Sequence, residues 1–203
     1  MSKKVKLSKP DISVLELSSS NADQRLIDNL EVLSDFLDEL RRKKLKIVLT
    51  QGVFDLIHEG HAKYLEIAKS HGDVLIVGLD SDKLTKQRKG DSRPIVPQKE
   101  RVEMLVHLRH VDLVVLREVD RGIGDLIRTV KPDVLITSSS TGDFPDELKR
   151  EYDDYCKKIV TLKPQSTTST TARIRRLTID GAEQLAKEIN TITNQFIEKI
   201  RDK

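Results

Sequence analysis

Cysteine occurs once, at Cys156, and tryptophan is absent. A single cysteine excludes an intrachain disulfide and any zinc site built from cysteines. It reads as a half-buried thiol rather than a nucleophile. Aromatic residues make up 3% of the chain, too few for the stacking platforms that grip single-stranded nucleic acid. No apolar run approaches the ~20 residues of a membrane span. The basic segment from Met1 to Pro10 has no apolar stretch behind it, so it does not read as a signal peptide. The expectation is a soluble, cytoplasmic protein with no membrane partner. A large charge excess is missing too: 36 Lys and Arg stand against 33 Asp and Glu, for a net charge of +3. Basic clusters at Lys86–Lys89 and Arg173–Arg176 are too local, against that balance, to make nucleic acid an expected partner.

What remains is 203 residues, 37% hydrophobic and 34% charged. That composition suits one core under a heavily charged surface. Residues 1–20 are polar and read as a partly ordered arm. Residues 21–43 read as an N-terminal helix with Asn21 as its cap. Leu26, Ile27, Leu30, Leu33, Phe36, Leu37 and Leu40 recur there at helical spacing. The period then changes. Ile47-Val48-Leu49, Val74-Leu75-Ile76-Val77, Leu113-Val114-Val115-Leu116, Val134-Leu135-Ile136 and Ile159-Val160-Thr161-Leu162 are short apolar runs. Helical stretches at 62–70, 97–107, 122–130 and 145–157 separate them. Alternation of this kind predicts a Rossmann-like three-layer α/β domain with a parallel sheet covered on both faces. The domain is placed at residues 44–178. A C-terminal helix follows at 179–203, with Leu185, Ile189, Ile192, Phe196 and Ile200 on one side. It either docks on the domain, the preferred reading, or pairs with a second subunit in a homodimer.

The densest chemical signal follows Ile47-Val48-Leu49. It is Gly52-Val53-Phe54-Asp55-Leu56-Ile57-His58-Glu59-Gly60-His61. In an open α/β sheet, ligands bind where strands end and turn into helices. Gly52 and Gly60 allow close backbone approach. A helix starting here aims unpaired N–H groups and its positive dipole end at a phosphate. His58 and His61, three positions apart, share a helix face and can donate hydrogen bonds to phosphate oxygens. Capping histidines, or zinc ligation by Asp55, His58 and His61, are the alternatives. No further ligand cluster is evident, so no metal site is assigned. Two more segments carry donors for anions. One is the basic loop Lys86-Gln87-Arg88-Lys89-Gly90, ahead of Arg93-Pro94. The other is Ser169-Thr170-Thr171 before Arg173, where hydroxyls and free N–H groups coincide at a helix start.

The pattern Gly52-x-Phe54-Asp55-x-x-His58-x-Gly60-His61 resembles the HxGH signature of the cytidylyltransferase-like nucleotidyltransferases. The resemblance runs from about Ile47 to Arg176. It implies direct in-line transfer of a nucleotidyl group from an NTP to a phosphorylated small molecule, with Mg2+ and release of pyrophosphate. It implies His58, His61 and Lys89 as the catalytic residues. It also implies nucleotide contacts from Gly52, Val53, Phe54, Asp55, Gly60, Arg88, Arg101, Asp143, Ser169, Thr170 and Thr171. Within the family the chain is most similar to heptose 1-phosphate adenylyltransferases, with glycerol-3-phosphate cytidylyltransferase a close relative. ATP is the expected nucleotide and CTP the runner-up. One departure stands out. Where the heptose subgroup carries Lys-Gly-Gly-Asp-Tyr, this chain has Thr137-Ser138-Ser139-Ser140-Thr141-Gly142-Asp143-Phe144. The loop at residues 137–141 is therefore expected to shape the acceptor site. A nucleotide-binding module without catalysis is the alternative function.

Overall fold

The computed structural model describes residue 15 and residues 24–119, 124–139, 151–165 and 170–201. Side chains at 30, 170, 171, 173 and 194–201 fall outside that description. The chain divides into two compact units, Met1–Gln165 and Ser166–Lys203.

The first unit is built on a parallel sheet of β1 (Leu26–Ile27), β2 (Ile47–Gly52), β3 (Val74–Asp80), β4 (Leu113–Arg117), β5 (Val134–Ser138) and β6 (Ile159–Leu162). The strand order is β1-β4-β3-β2-β5-β6, with every described pairing parallel. Helices α1 (Leu30–Arg42), α2 (Glu59–Lys69), α3 (Asp82–Lys89), α4 (Gln98–Val106) and α5 (Asp125–Val130) lie between the strands in sequence.

Side chains alternate along each strand, so one apolar run feeds two cores. In β3, Val74 and Ile76 join a cluster with Leu33, Phe36 and Leu37 of α1 and Ile127 of α5. Leu75, Val77 and Leu79 join the opposite cluster with Leu65 and Ala68 of α2 and Leu105 of α4. All seven β3 residues are buried. Burying both faces is what makes the run continuously apolar rather than alternating with polar residues. Each buried Leu, Ile or Val contributes roughly 1.5–3 kcal/mol relative to exposure.

Two local expectations are corrected. Leu26 and Ile27 pair with Val114 and Val115 as an edge strand, so the helix starts at Leu30 and not near residue 23. Its cap is Asn29, whose side chain accepts from the Glu31 N–H at 2.8 Å, and not Asn21, which is outside the described residues. Lys86 to Lys89 are not a loop but the second half of α3. Ser81 caps that helix at the Leu84 N–H, and Gly90 at φ 91° ends it. Only a residue without a Cβ takes that φ cheaply.

Strand order places the site. The chain passes from β2 to β3 to β4 on one side of the sheet. It then returns to β5 and β6 on the other side of β2. The carboxyl ends of β2 and β5 flank this reversal, where open α/β sheets bind ligands.

The described residues of the second unit form one helix, α6 (Thr170–Arg201). It runs through the boundary expected at 178–179 without a break. Leu177, Leu185, Ile189 and Ile192 are exposed along it. No described helix is long and apolar enough to cross a membrane.

Candidate active site

The connection from β2 to α2 folds against its own backbone preference. Phe54 has φ 49° and Leu56 φ 47°, two non-glycine residues in the left-handed region within three positions. Such conformations cost of order 1–3 kcal/mol each and persist where the surroundings over-determine them. Asp55, between them, supplies one constraint. Its buried carboxylate accepts from the Ile95 N–H and the Val96 N–H, both at 2.9 Å, and pairs with Arg93 Nη2 at 3.0 Å. Arg101 supplies the other from below. It is 1% exposed. Its Nη1 donates to Val53 O at 2.6 Å and to Asp80 O at 2.9 Å. Its Nε donates to Val96 O at 2.9 Å, and Nη2 to Asp82 Oδ1 at 2.7 Å. One guanidinium thus joins the β2–α2 loop, the end of β3, the 93–97 segment and the start of α3.

On this base the histidines cap α2. His58 is the N-cap residue, in extended conformation. Its Nδ1 accepts from the Gly60 N–H at 3.0 Å, and its own N–H donates to His61 Nδ1 at 3.4 Å. The ring centroids are 4.2 Å apart, and Phe54 lies 5.7 Å from the His61 ring. Both Nδ1 atoms accept backbone protons, so a neutral ring carries its own proton on Nε2. Burial pushes the His61 pKa down to about 4, helped by His58 and Lys89 and opposed by Asp55. His61 is therefore neutral at pH 7, with Nε2–H as a donor fixed in tautomer.

The loop brings Gly52, Val53, Phe54, Asp55, His58, Gly60 and His61 together. Lys89, exposed in the last turn of α3, is near enough to act electrostatically on His61. Arg88 is directed elsewhere: its Nη1 donates to Asp80 Oδ2 at 2.5 Å. Asp80 is fully buried and also receives Arg117 Nη1 at 2.6 Å. Two guanidiniums thus meet on one carboxylate at the ends of β3 and β4. Arg101, expected at the nucleotide, is instead spent on loop carbonyls and Asp82. With these bonds the buried guanidinium holds the site's loops in position. Asp143 and Ser169 lie outside the described residues. Thr170 and Thr171 are described by backbone alone, at the start of α6. Sequence reasoning missed Asp80 and Arg117, and it named Arg93 without its Asp55 partner. Asp80 and Arg117 end apolar strands, and only the three-dimensional pairing gives these charges a role.

Among the described residues, no group of three His, Cys, Asp or Glu is placed to hold a metal. Both Asp55 oxygens already accept backbone N–H groups. These residues do not form a magnesium cage.

Comparison with known proteins gives the family and the fold. A family model described as cytidylyltransferase-like matches residues 49–177. The bifunctional protein HldE of Aliarcobacter butzleri (strain RM4018) is 40% identical over 165 residues, covering 80% of this chain and 33% of that protein. HldE of Helicobacter pylori (strain Shi470) is 42% identical over 147 residues, covering 71% and 30%. The chain thus spans about a third of the length of these curated relatives. The lipopolysaccharide core biosynthesis protein from Thermoplasma volcanium GSS1 superposes with a TM-score of 0.52 at 28% identity. That match covers 59% of this chain and 98% of that one. Pantoate–β-alanine ligase from Francisella tularensis shares the fold, at TM-score 0.52 and 15% identity, over 71% of this chain and 68% of the ligase.

Proposed function

The chain belongs to the cytidylyltransferase-like family of nucleotidyltransferases, and on that premise we propose that it transfers NMP from an NTP to a phosphorylated sugar or polyol. ATP is the proposed nucleotide, and a heptose 1-phosphate the proposed type of acceptor. The HldE relatives and the motif from Gly52 to His61 support this choice. CTP with glycerol 3-phosphate is the second reading.

One observation carries the proposal. Two histidines cap the first turn of α2, each with Nδ1 accepting from the backbone, and the neutral His61 keeps its proton on Nε2 as a donor. A helix start and a donor fixed in tautomer suit a charge that develops on a phosphate in the transition state. Donors that need no reorientation cost nothing at the moment of reaction. An acceptor phosphate oxygen attacks the α-phosphorus. The new P–O bond forms as the α–β bridging bond breaks, and its electron pair leaves with pyrophosphate. The nucleophile is already anionic, so no general base is needed. His58 and His61 donate to phosphate oxygens, and Lys89 offsets charge on the departing end. Mg2+ is proposed to arrive with the triphosphate, held by phosphate oxygens and water. When bound it would neutralise charge there. Ser169, Thr170 and Thr171 are proposed, on their motif alone, to bind phosphate.

The test is pyrophosphate release with purified protein, each NTP in turn, and heptose 1-phosphate or glycerol 3-phosphate as acceptor. Release that requires both substrates supports transfer. Tight NTP binding without release from any pair makes the chain a nucleotide-binding module.

A further inference from the structure

Gln51 is the fifth residue of β2, directly before Gly52 and the site loop. It faces Gly78 of β3 in register. Its Cγ lies 3.1 Å from where a Cβ on Gly78 would stand, so the bare glycine is what lets the side chain lie across the strand. The residue as a whole is half-buried. Its Nε2 and Oε1, however, are both shielded from water and have no hydrogen-bond partner among the described residues. An unsatisfied buried carboxamide is destabilising, and native proteins rarely keep one without a use for it.

We propose that Gln51 reads a hydroxyl of the acceptor, a proposal that rests on the transferase reading above. Its position gives the first reason. By strand alternation Gln51 shares a face with Ile47 and Leu49, in the core formed with α1 and α5. The α2 side of β2 is the other face, where Thr50 Oγ1 lies 2.7 Å from Tyr64 Oη. The amide and the histidine-capped helix therefore flank the end of β2 from opposite sides. In-line displacement needs the acceptor and the leaving pyrophosphate on opposite sides of phosphorus.

The chemistry of the amide gives the second reason. It offers two donors and an acceptor in one plane. A phosphate at neutral pH accepts only and leaves Oε1 unmet. A hydroxyl both donates and accepts, and sugars and polyols present several. In this proposal the amide turns toward the strand end about its outer side-chain torsions when the acceptor binds.

Gln51→Met keeps the length and removes the polar atoms. With pyrophosphate release as the readout, the acceptor KM should rise about tenfold, the loss of roughly one hydrogen bond. The NTP KM should stay within about twofold, by the same scale. Tm without ligand should not fall, because the amide makes no bond there. The deoxy acceptor that loses affinity toward the parent should lose none toward Gln51→Met. An unchanged acceptor KM overturns the proposal, and so does a lowered Tm, which marks a structural role. A parent that releases no pyrophosphate with any substrate pair removes the transferase reading and this proposal together. A working parent beside an unaffected Gln51→Met removes this proposal alone.

Discussion

At the scale of single residues, His61 is held neutral by burial and by the work its Nδ1 does for the His58 N–H. Protonating it adds charge in a desolvated place and breaks that cap. The sign of the stability effect follows. The folded pKa, about 4, lies below the ordinary value of 6.5. Between those values the unfolded chain binds more protons, so stability rises with pH across the window. Stability from this group is fully present above pH 6.5 and is lost as pH falls toward 4, by on the order of 3 kcal/mol. Urea melts at pH 7, 5.5 and 4.5 should show a decline that is shallower in His61→Ala. An equal decline in both proteins would place the proton elsewhere. The same variant should lower kcat by about 10²–10³, the usual loss for one transition-state donor, while NTP binding falls less. A kcat within a few-fold of the parent, with the fold intact, would remove His61 from the chemistry. Arg101 calls for a different readout. Arg101→Met should destabilise by about 3–5 kcal/mol, because it strands the carbonyls of Val53, Asp80 and Val96 and the Asp82 carboxylate. Chemical denaturation measures this, and a loss below about 1 kcal/mol would mean the fastening is redundant.

Between elements, the informative feature is the tether from the β2–α2 loop to the 93–97 segment. Asp55 holds the Ile95 and Val96 N–H groups and Arg93. Asp55→Ala should free both amides, and their hydrogen exchange should accelerate well beyond that of the β3 amides. Activity should fall with it, because Phe54 and Leu56 lose the constraint that keeps them left-handed. Unchanged exchange at Ile95 and Val96 would show that the segment is held by other means. The elements also show where sequence patterns stop being informative. β3 was legible because burial on both faces demands an unbroken apolar run, and the edge strand β6, only partly buried, was legible from Ile159, Val160 and Leu162. β1 is two residues long, and its Leu26 and Ile27 also fit the helical stripe that follows. α3 has one apolar residue, Leu84, among Asp82–Lys89, so it carries no apolar period. Its signals were the Ser81 cap and the Gly90 stop. Within the site, the histidines and Asp55 were legible as a motif. The fastening role of Arg101 was not, because nothing in a one-dimensional pattern marks a buried arginine whose partners lie up to 48 positions away.

For the whole molecule, the reversal of strand order around β2 is what turns a motif into a site. It brings the loop from Gly52 to His58, the basic end of α3 and the half-buried Gln51 to one edge of the sheet, while both cores stay closed beneath them. The family assignment follows from the match over residues 49–177, and the proposed chemistry rests on the paired histidines at a helix start, with His61 neutral. The most direct test is pyrophosphate release over a matrix of the four NTPs against heptose 1-phosphate, glycerol 3-phosphate and other phosphorylated sugars, run beside His61→Ala. Release confined to ATP with a phosphorylated sugar, and reduced by about 10²–10³ in the variant, is the predicted result. No release from any pair, or release that His61→Ala leaves unchanged, would contradict it.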